Sequence, residues 1–289
     1  ACEMAQAFRR LGSAVTIIIR APRLMRKEDA EGAALIEKQF AEEGIAVLTG
    51  RNIRQISKQG AGVRVETDKG DTIDADRLLV AAGRKLDFSE LRLDAAGVAV
   101  GKEGITVSKT LQTTQPHIYA CGDCNGYRQL SHAAMHQGMI ALMNSMSPWP
   151  FKQDFRKFVV PWTVFTEPQF SHVGMNEDEL RERGIKYETT RVNYADYGAA
   201  IAESVDTGFL KVHASALGKI YGVTIVGEGS GEMINEWALA IQKGIRLYDI
   251  MMLQHSFPTM GFLSKRIGET WMMGLMKSPW LQKICRWMF

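Results

Sequence analysis

Two cysteines three apart, Cys121 and Cys124, are the first residues here with a spacing that does chemistry. A Cys-x-x-Cys pair supplies half of a zinc site or cycles as a dithiol. Zinc takes four ligands, and the other two cysteines, Cys2 and Cys285, lie far off in sequence, so no metal is expected. Thiols buried as small hydrophobes are the third reading. Arg20, Arg23 and Arg26 cluster behind a β-branched run, either as solvated charges or as guanidinium groups for a bidentate anion. Glu3 opens a helical stretch, where the macrodipole favours an acid. Gly83 ends an apolar run and allows either a simple turn or a close backbone approach.

These residues need elements to hold them. Met4, Phe8 and Leu11 share one helical face, with Gly12 as a stop. Residues 14–19 read as a buried parallel strand. A helix over 31–43 carries Ala33, Ile36 and Phe40 on one face, and 45–48 is a second short strand. Residues 62–67 alternate, 68–70 turn and 78–82 are apolar again. This order within about 80 residues signals an α/β sheet. Residues 132–144 are helical, and 147–150 read as a linker. Thereafter the texture changes. A strand at 162–165 precedes a capping box at Asn176–Glu179, then strands at 187–194, 208–213 and 219–226, then a helix over 232–243. Consecutive strands flanked by helices imply an α+β domain with an antiparallel sheet.

Composition sets the outer limits. The chain of 289 residues is 46% hydrophobic and 23% charged, which excludes disorder. A net charge of +3, from 35 basic against 32 acidic residues, gives no nucleic-acid signal. Four cysteines do not make a disulfide scaffold. The sequence opens at Ala1-Cys2-Glu3-Met4 with no preceding Met or leader, so a missing front is expected.

The order of motifs resembles the flavin-dependent pyridine nucleotide–disulfide oxidoreductases, the family of glutathione reductase, lipoamide dehydrogenase and mercuric reductase. The resemblance runs from Glu3 to about Thr259 and covers the C-terminal part of that family only. It implies an α/β, partial Rossmann-like NAD(P) domain over 1–84, lacking its first strand and Gly-rich loop. It further implies the returning segment of the FAD domain over 85–155 and an α+β interface domain over 156–262; residues 263–289, beyond the resemblance, read as an amphipathic tail. The family's FAD-binding G-x-G-x-x-G and its redox Cys-x4-Cys pair are not in the sequence.

The resemblance also assigns roles. Glu3 matches the family's carboxylate near nicotinamide and flavin. An NAD-binding Rossmann unit ends its second strand with an acid that accepts the ribose hydroxyls. Here Ile19 and Arg20 stand there, and Arg20 and Arg26 match the phosphate-binding arginines of NADPH-using members. Arg23 is a third contact in this reading. Gly83, in Val80-Ala81-Ala82-Gly83-Arg84, matches the strand that closes the NAD(P) domain. Gly122 and Asp123, in Ala120-Cys121-Gly122-Asp123, match the motif at the FAD ribityl chain. His132 matches the segment that runs along the isoalloxazine. A dithiol role for Cys121 and Cys124 is disfavoured, because thioredoxin reductases carry their pair in the NAD(P) domain.

One motif departs from the family. Its His-Pro-Thr-x-x-Glu supplies an acid–base pair for a thiol. Here Phe257 stands for the His and Phe262 for the Glu. His255 lies two residues upstream and would need a backbone shift to replace it. A phenyl ring carries no transferable proton.

The expectation is therefore an FAD-dependent oxidoreductase that takes hydride from NADPH and passes it to an unidentified acceptor, homodimeric through 156–262. The alternative is a non-catalytic dimerisation and NADP-recognition fragment without flavin. The tail packs Trp271, Met272, Met273, Met276, Trp280, Leu281, Ile284, Trp287, Met288 and Phe289 among Lys277, Lys283 and Arg286. It is too short and charged for a transmembrane span. It reads as a helix packed on the interface domain, or as a peripheral membrane contact through 269–289. The expected location is cytoplasmic, membrane-peripheral if the tail binds lipid.

Overall fold

The computed structural model describes residues 1–278 and Gln282. It divides into two compact units, residues 82–160 and the remainder.

The first unit opens with helix α1 (Cys2–Arg10). Met4 and Phe8, which share one face of this helix, and Leu11 at its C-cap are all exposed, so the apolar face that the spacing marks is turned outward. The buried pair is Ala5 and Gln6. Gln6 accounts for the inversion. Its amide donates to Glu43 Oε1 at 2.9 Å and to the Glu167 carbonyl at 2.7 Å, and accepts from the Glu167 amide at 2.8 Å. A buried amide so satisfied is tolerated in a core.

Strand β1 (Thr16–Ile19), helix α2 (Ala30–Glu42) and strand β2 (Ala46–Thr49) follow, with β1 and β2 paired in parallel, Thr16 opposite Ala46. Asp29 starts α2 by accepting from the Gly32 amide at 2.9 Å. Strands β3 (Ile53–Gln59), β4 (Gly62–Thr67) and β5 (Thr72–Ala75) form an antiparallel meander, of which only β4 was legible by alternation. The apolar run 78–82 is not a strand: Leu79 and Val80 are exposed. A fully apolar strand belongs inside a parallel sheet, and β1 has only β2 beside it.

The second unit is built on turns, the isolated bridges Val100–Ile105 and Gln112–Tyr119, and one long helix, α3 (Ser131–Met146). Leu111, Ile140, Ala141 and Phe155 form its largest core cluster. On the opposite face of α3, Met135, Met139, Leu142, Met143 and Met146 stand exposed at helical spacing.

The first unit resumes with β6 (Trp162–Val164), β7 (Phe170–Gly174), α4 (Glu177–Glu182), β8 (Glu188–Asn193), α5 (Gly198–Ala202), β9 (Phe209–Ala214) and β10 (Ile220–Val226). The strands form one antiparallel sheet in the order β6-β7-β10-β9-β8, as the consecutive strand signals imply. The Asn176–Glu179 capping box is formed in both directions. Helices α6 (Ser230–Lys243), α7 (Leu247–Met252) and α8 (Phe262–Met276) complete the unit. Phe40 and Ile36 of α2 share a core with Phe170, Phe209 and Val226 of the sheet, so residues 1–81 and the sheet are one packed body.

Helix α8 buries Leu263, Ser264, Ile267 and Trp271 and leaves Met273 and Met276 exposed. The described half of the tail is thus a packed helix. Trp280, Leu281, Lys283, Ile284, Arg286, Trp287, Met288 and Phe289 lie outside the described residues. Among the described residues no helix is long and apolar enough to cross a membrane.

Candidate functional site

The loop from Arg20 to Asp29 joins β1 to α2. Arg20 and Arg26 are exposed, and neither guanidinium has a partner among the described residues. Arg23 behaves differently. Its Nη1 donates to the carbonyls of Leu24 at 3.2 Å and Met25 at 2.8 Å, and its Nη2 to those of Arg26 at 2.9 Å and Glu28 at 2.8 Å. A guanidinium spent on four main-chain carbonyls is not a free anion contact, which corrects the reading of Arg23 as a third phosphate ligand. Leu24 is plugged into the core, and its amide donates to Glu37 Oε1 at 2.6 Å.

The far end of the loop is held by the antiparallel sheet and its connections. Lys211 of β9, side chain 9% exposed, reaches Asp29 at 3.0 Å and Glu31 at 2.6 Å. Arg191 of β8 also pairs with Glu31, at 2.8 Å. A lysine inside an otherwise apolar strand is explained by these acids. His213, two residues on, hydrogen-bonds Thr189 at 2.9 Å, and burial pushes its pKa below the ordinary histidine value.

Glu3 does not stand free. Its Oε1 accepts from the Phe165 amide at 2.8 Å. This ties α1 to the end of β6.

In the second unit Gly122 and Asp123 lie in a short turn packed against α3. Gly122 has a φ of +80°, and a Cβ there would stand 2.8 Å from the Ala134 Cβ, so the turn requires glycine. Gln137 of α3 was not anticipated, although it organises this turn. Its buried Oε1 accepts from the Gly122 amide at 2.8 Å and from Asn125 at 2.7 Å, and Asn125 also donates to the Ala120 carbonyl at 3.1 Å. Its only signal was a polar side chain on the buried face of a helix. Asp123 then projects, one carboxylate oxygen taking Arg84 at 2.9 Å. Gly83 beside that arginine has a φ of +111° and open space around it. His132 is exposed on the first turn of α3, whose N-terminus has no side-chain cap.

The two thiols face main chain. Cys124 Sγ donates to the Cys121 carbonyl at 3.2 Å, and Cys121 Sγ to the Gln137 carbonyl at 3.7 Å. Burial raises the pKa of both; the neighbouring Cys124 adds to it at Cys121, while at Cys124 the main-chain hydrogen bonds partly oppose it and Asp123 adds to it. Neither is activated for nucleophilic work.

At the end of the sheet unit, Phe257 and Phe262 meet edge to face at 5.3 Å, and Phe262 stacks on Tyr197 at 6.1 Å. Tyr197 donates to the Thr259 carbonyl at 2.9 Å. His255 is turned inward, with Nε2 2.9 Å from Glu236 Oε1 and Nδ1 3.3 Å from the Leu253 carbonyl. Both ring nitrogens are engaged, and the side chain is 8% exposed.

The family model described as pyridine nucleotide-disulphide oxidoreductase matches residues 1–138, and its dimerisation domain matches residues 160–265. A dihydrolipoyl dehydrogenase of Thermus scotoductus is 34% identical over 265 residues, covering 89% of this chain and 57% of its own length. A mercuric reductase of Bacillus cereus is 32% identical over 263 residues, covering 89% of this chain and 41% of its own. The solved HOCl-induced flavoprotein disulfide reductase of Escherichia coli superposes with a TM-score of 0.85 at 25% identity, over 93% of this chain and 62% of that one. The chain thus spans about half the length of the curated relatives it matches.

Proposed function

The chain belongs to the pyridine nucleotide–disulphide oxidoreductases, and from that premise we propose that it is the NADPH-recognising and dimerising part of an FAD-dependent oxidoreductase. The observation that carries this reading is the β1–α2 loop, with two exposed arginines that have no partner among the described residues, where an NAD-specific fold places an acid. A carboxylate there would repel a 2′-phosphate, whereas a guanidinium pairs with it through two hydrogen bonds. Arg20 and Arg26 are the residues that would hold the phosphate.

The second unit supports a flavin site in part. Gly122 fits a backbone that approaches a ligand closely, and Gln137 fixes that turn. Asp123 offers a carboxylate oxygen to a ribityl hydroxyl, and the N-terminus of α3, which has no side-chain cap, turns its positive dipole end to a phosphate. Bound flavin would supply hydride acceptance from NADPH and release of electrons to a second substrate. The chain's own contribution is position and charge.

The acceptor side supports a substrate other than a simple dithiol. The positions of the family's proton-transferring His and Glu carry Phe257 and Phe262, and His255 is held inward by Glu236. The antiparallel sheet and its helices form the dimerising part, and a homodimer is the assembly this reading requires. Along the chain, the proposal assigns 1–84 to NADPH, 85–155 to flavin and 156–262 to dimerisation.

Titrating the purified chain with NADPH and NADH tests the nucleotide half. NADPH should bind about ten-fold more tightly, and Arg20→Glu should abolish the difference. Equal binding of both nucleotides would refute the reading. Flavin absorbance in the purified chain separates a flavin-loaded module from a nucleotide-recognition and dimerisation module without flavin.

A further inference from the structure

The loop that carries Arg20 and Arg26 is fixed from within by one side chain. Arg23 has five N–H donors in a planar fork, and four carbonyls between Leu24 and Glu28 converge on its two terminal nitrogens. One of these is the carbonyl of Arg26 itself. Met25, inside the same turn, has a φ of +45°, a conformation that L side chains seldom adopt unless surroundings impose it. Its carbonyl receives Arg23 at 2.8 Å and the Glu28 amide at 2.8 Å.

The exit of the loop is fixed from outside. Asn176 donates to the Lys27 carbonyl at 3.0 Å, and Trp162 Nε1 donates to Glu28 at 3.2 Å. Arg26 therefore sits between a clamp on its own carbonyl and two anchors on the residues that follow. Its guanidinium remains exposed.

We propose that Arg23 is a positioning residue for 2′-phosphate recognition, which shapes the main chain under Arg26 and does not touch the phosphate. The proposal rests on the NADPH reading above and deepens it. Its physical content is that the cost of ordering the loop is met before the nucleotide arrives. A lysine cannot reproduce this clamp, because its donors radiate from one nitrogen and cannot serve carbonyls spread over five residues.

The test compares Arg23→Lys and Arg23→Met with the wild-type chain. Calorimetry measures binding of adenosine 2′,5′-bisphosphate and of 5′-AMP, and thermal melts establish folding. Both variants should lose about ten-fold in affinity for the bisphosphate and stay within about two-fold for 5′-AMP. If Arg23→Lys keeps the bisphosphate affinity while Arg23→Met loses it, Arg23 acts as a charge on the phosphate and the proposal falls. It falls equally if both variants keep the affinity, if both ligands weaken alike, or if neither variant folds while Asn176→Ala, which loosens the loop from outside, leaves bisphosphate binding intact. A non-folding pair with an Asn176→Ala chain that loses only the bisphosphate supports it. A wild-type chain that does not distinguish the ligands overturns the NADPH reading itself, and the proposal with it.

Discussion

Replacing Lys211 with methionine removes the cation that joins β9 to the start of α2. The ammonium lies 3.1 and 3.0 Å from the two oxygens of Asp29 and 2.6 Å from Glu31. Lys211 and Asp29 have side chains 9% and 6% exposed, so water cannot replace the lost partner. Removing one member of a buried pair costs about 3–5 kcal/mol. Asp29 keeps its bond from the Gly32 amide, and Glu31 is 45% exposed and keeps Arg191, which places the expected loss at the lower end, about 3 kcal/mol. With a urea slope of about 3 kcal/mol per molar, the unfolding midpoint falls by about 1 M. Asp29→Ala should cost about 1 kcal/mol more, because it also removes the helix cap. The double variant Lys211→Met/Asp29→Leu should recover most of the loss, since two apolar side chains leave no unpaired charge. A Lys211→Met midpoint within about 0.2 M of wild type would refute the claim that this pair is desolvated and stabilising.

Gln137→Leu strands the Gly122 amide and should cost about 1–3 kcal/mol, read as lost hydrogen-exchange protection at Gly122; retained protection would contradict the role given to Gln137. Arg10, at 2.8 Å, together with Gln39 and Gln6, holds Glu43 down to about 2, below the ordinary carboxylate value of 4.5. A depressed folded pKa contributes stability above about pH 4.5 that is lost as pH falls toward 2, worth about 1 kcal/mol after solvent screening. Melting temperatures of wild type and Glu43→Gln should therefore converge across that window, and a constant gap would count against it. Cys121 and Cys124, with raised pKa values, should alkylate with iodoacetamide at neutral pH more slowly in the folded chain than in urea; fast labelling of the folded chain would indicate an activated thiol. Trp271→Ala should destabilise the sheet unit by about 3 kcal/mol, and a melting curve like that of wild type would contradict the burial of this side chain.

What could be read from the sequence followed how local each signal was. The Asn176–Glu179 box and the strands at 188–193, 209–214 and 220–226 carry their cause within a few residues, and they formed as expected. The run 78–82 looked like a strand because it is apolar, but a strand also needs neighbours. Helix α1 turned its apolar face outward because the bonds of Gln6 to Glu43 and Glu167 are long-range. In the loop between β1 and α2, residue types drew attention to Arg20 and Arg26, whereas the contacts of Arg23 depend on where four carbonyls point. Asp29 was visible only as an acid before a helix. Its partner lies 182 residues away, and the clue was a lysine amid the apolar residues of β9.

The central claim is that this loop recognises a 2′-phosphate. Phosphorus NMR of NADP bound to the chain observes that group directly. The account predicts that the 2′-phosphate resonance moves to its dianionic position at neutral pH, titrates at a lower pH than in free NADP, and returns to the free value in Arg20→Gln/Arg26→Gln. A 2′-phosphate resonance that titrates as in free NADP while the nucleotide is bound would contradict it.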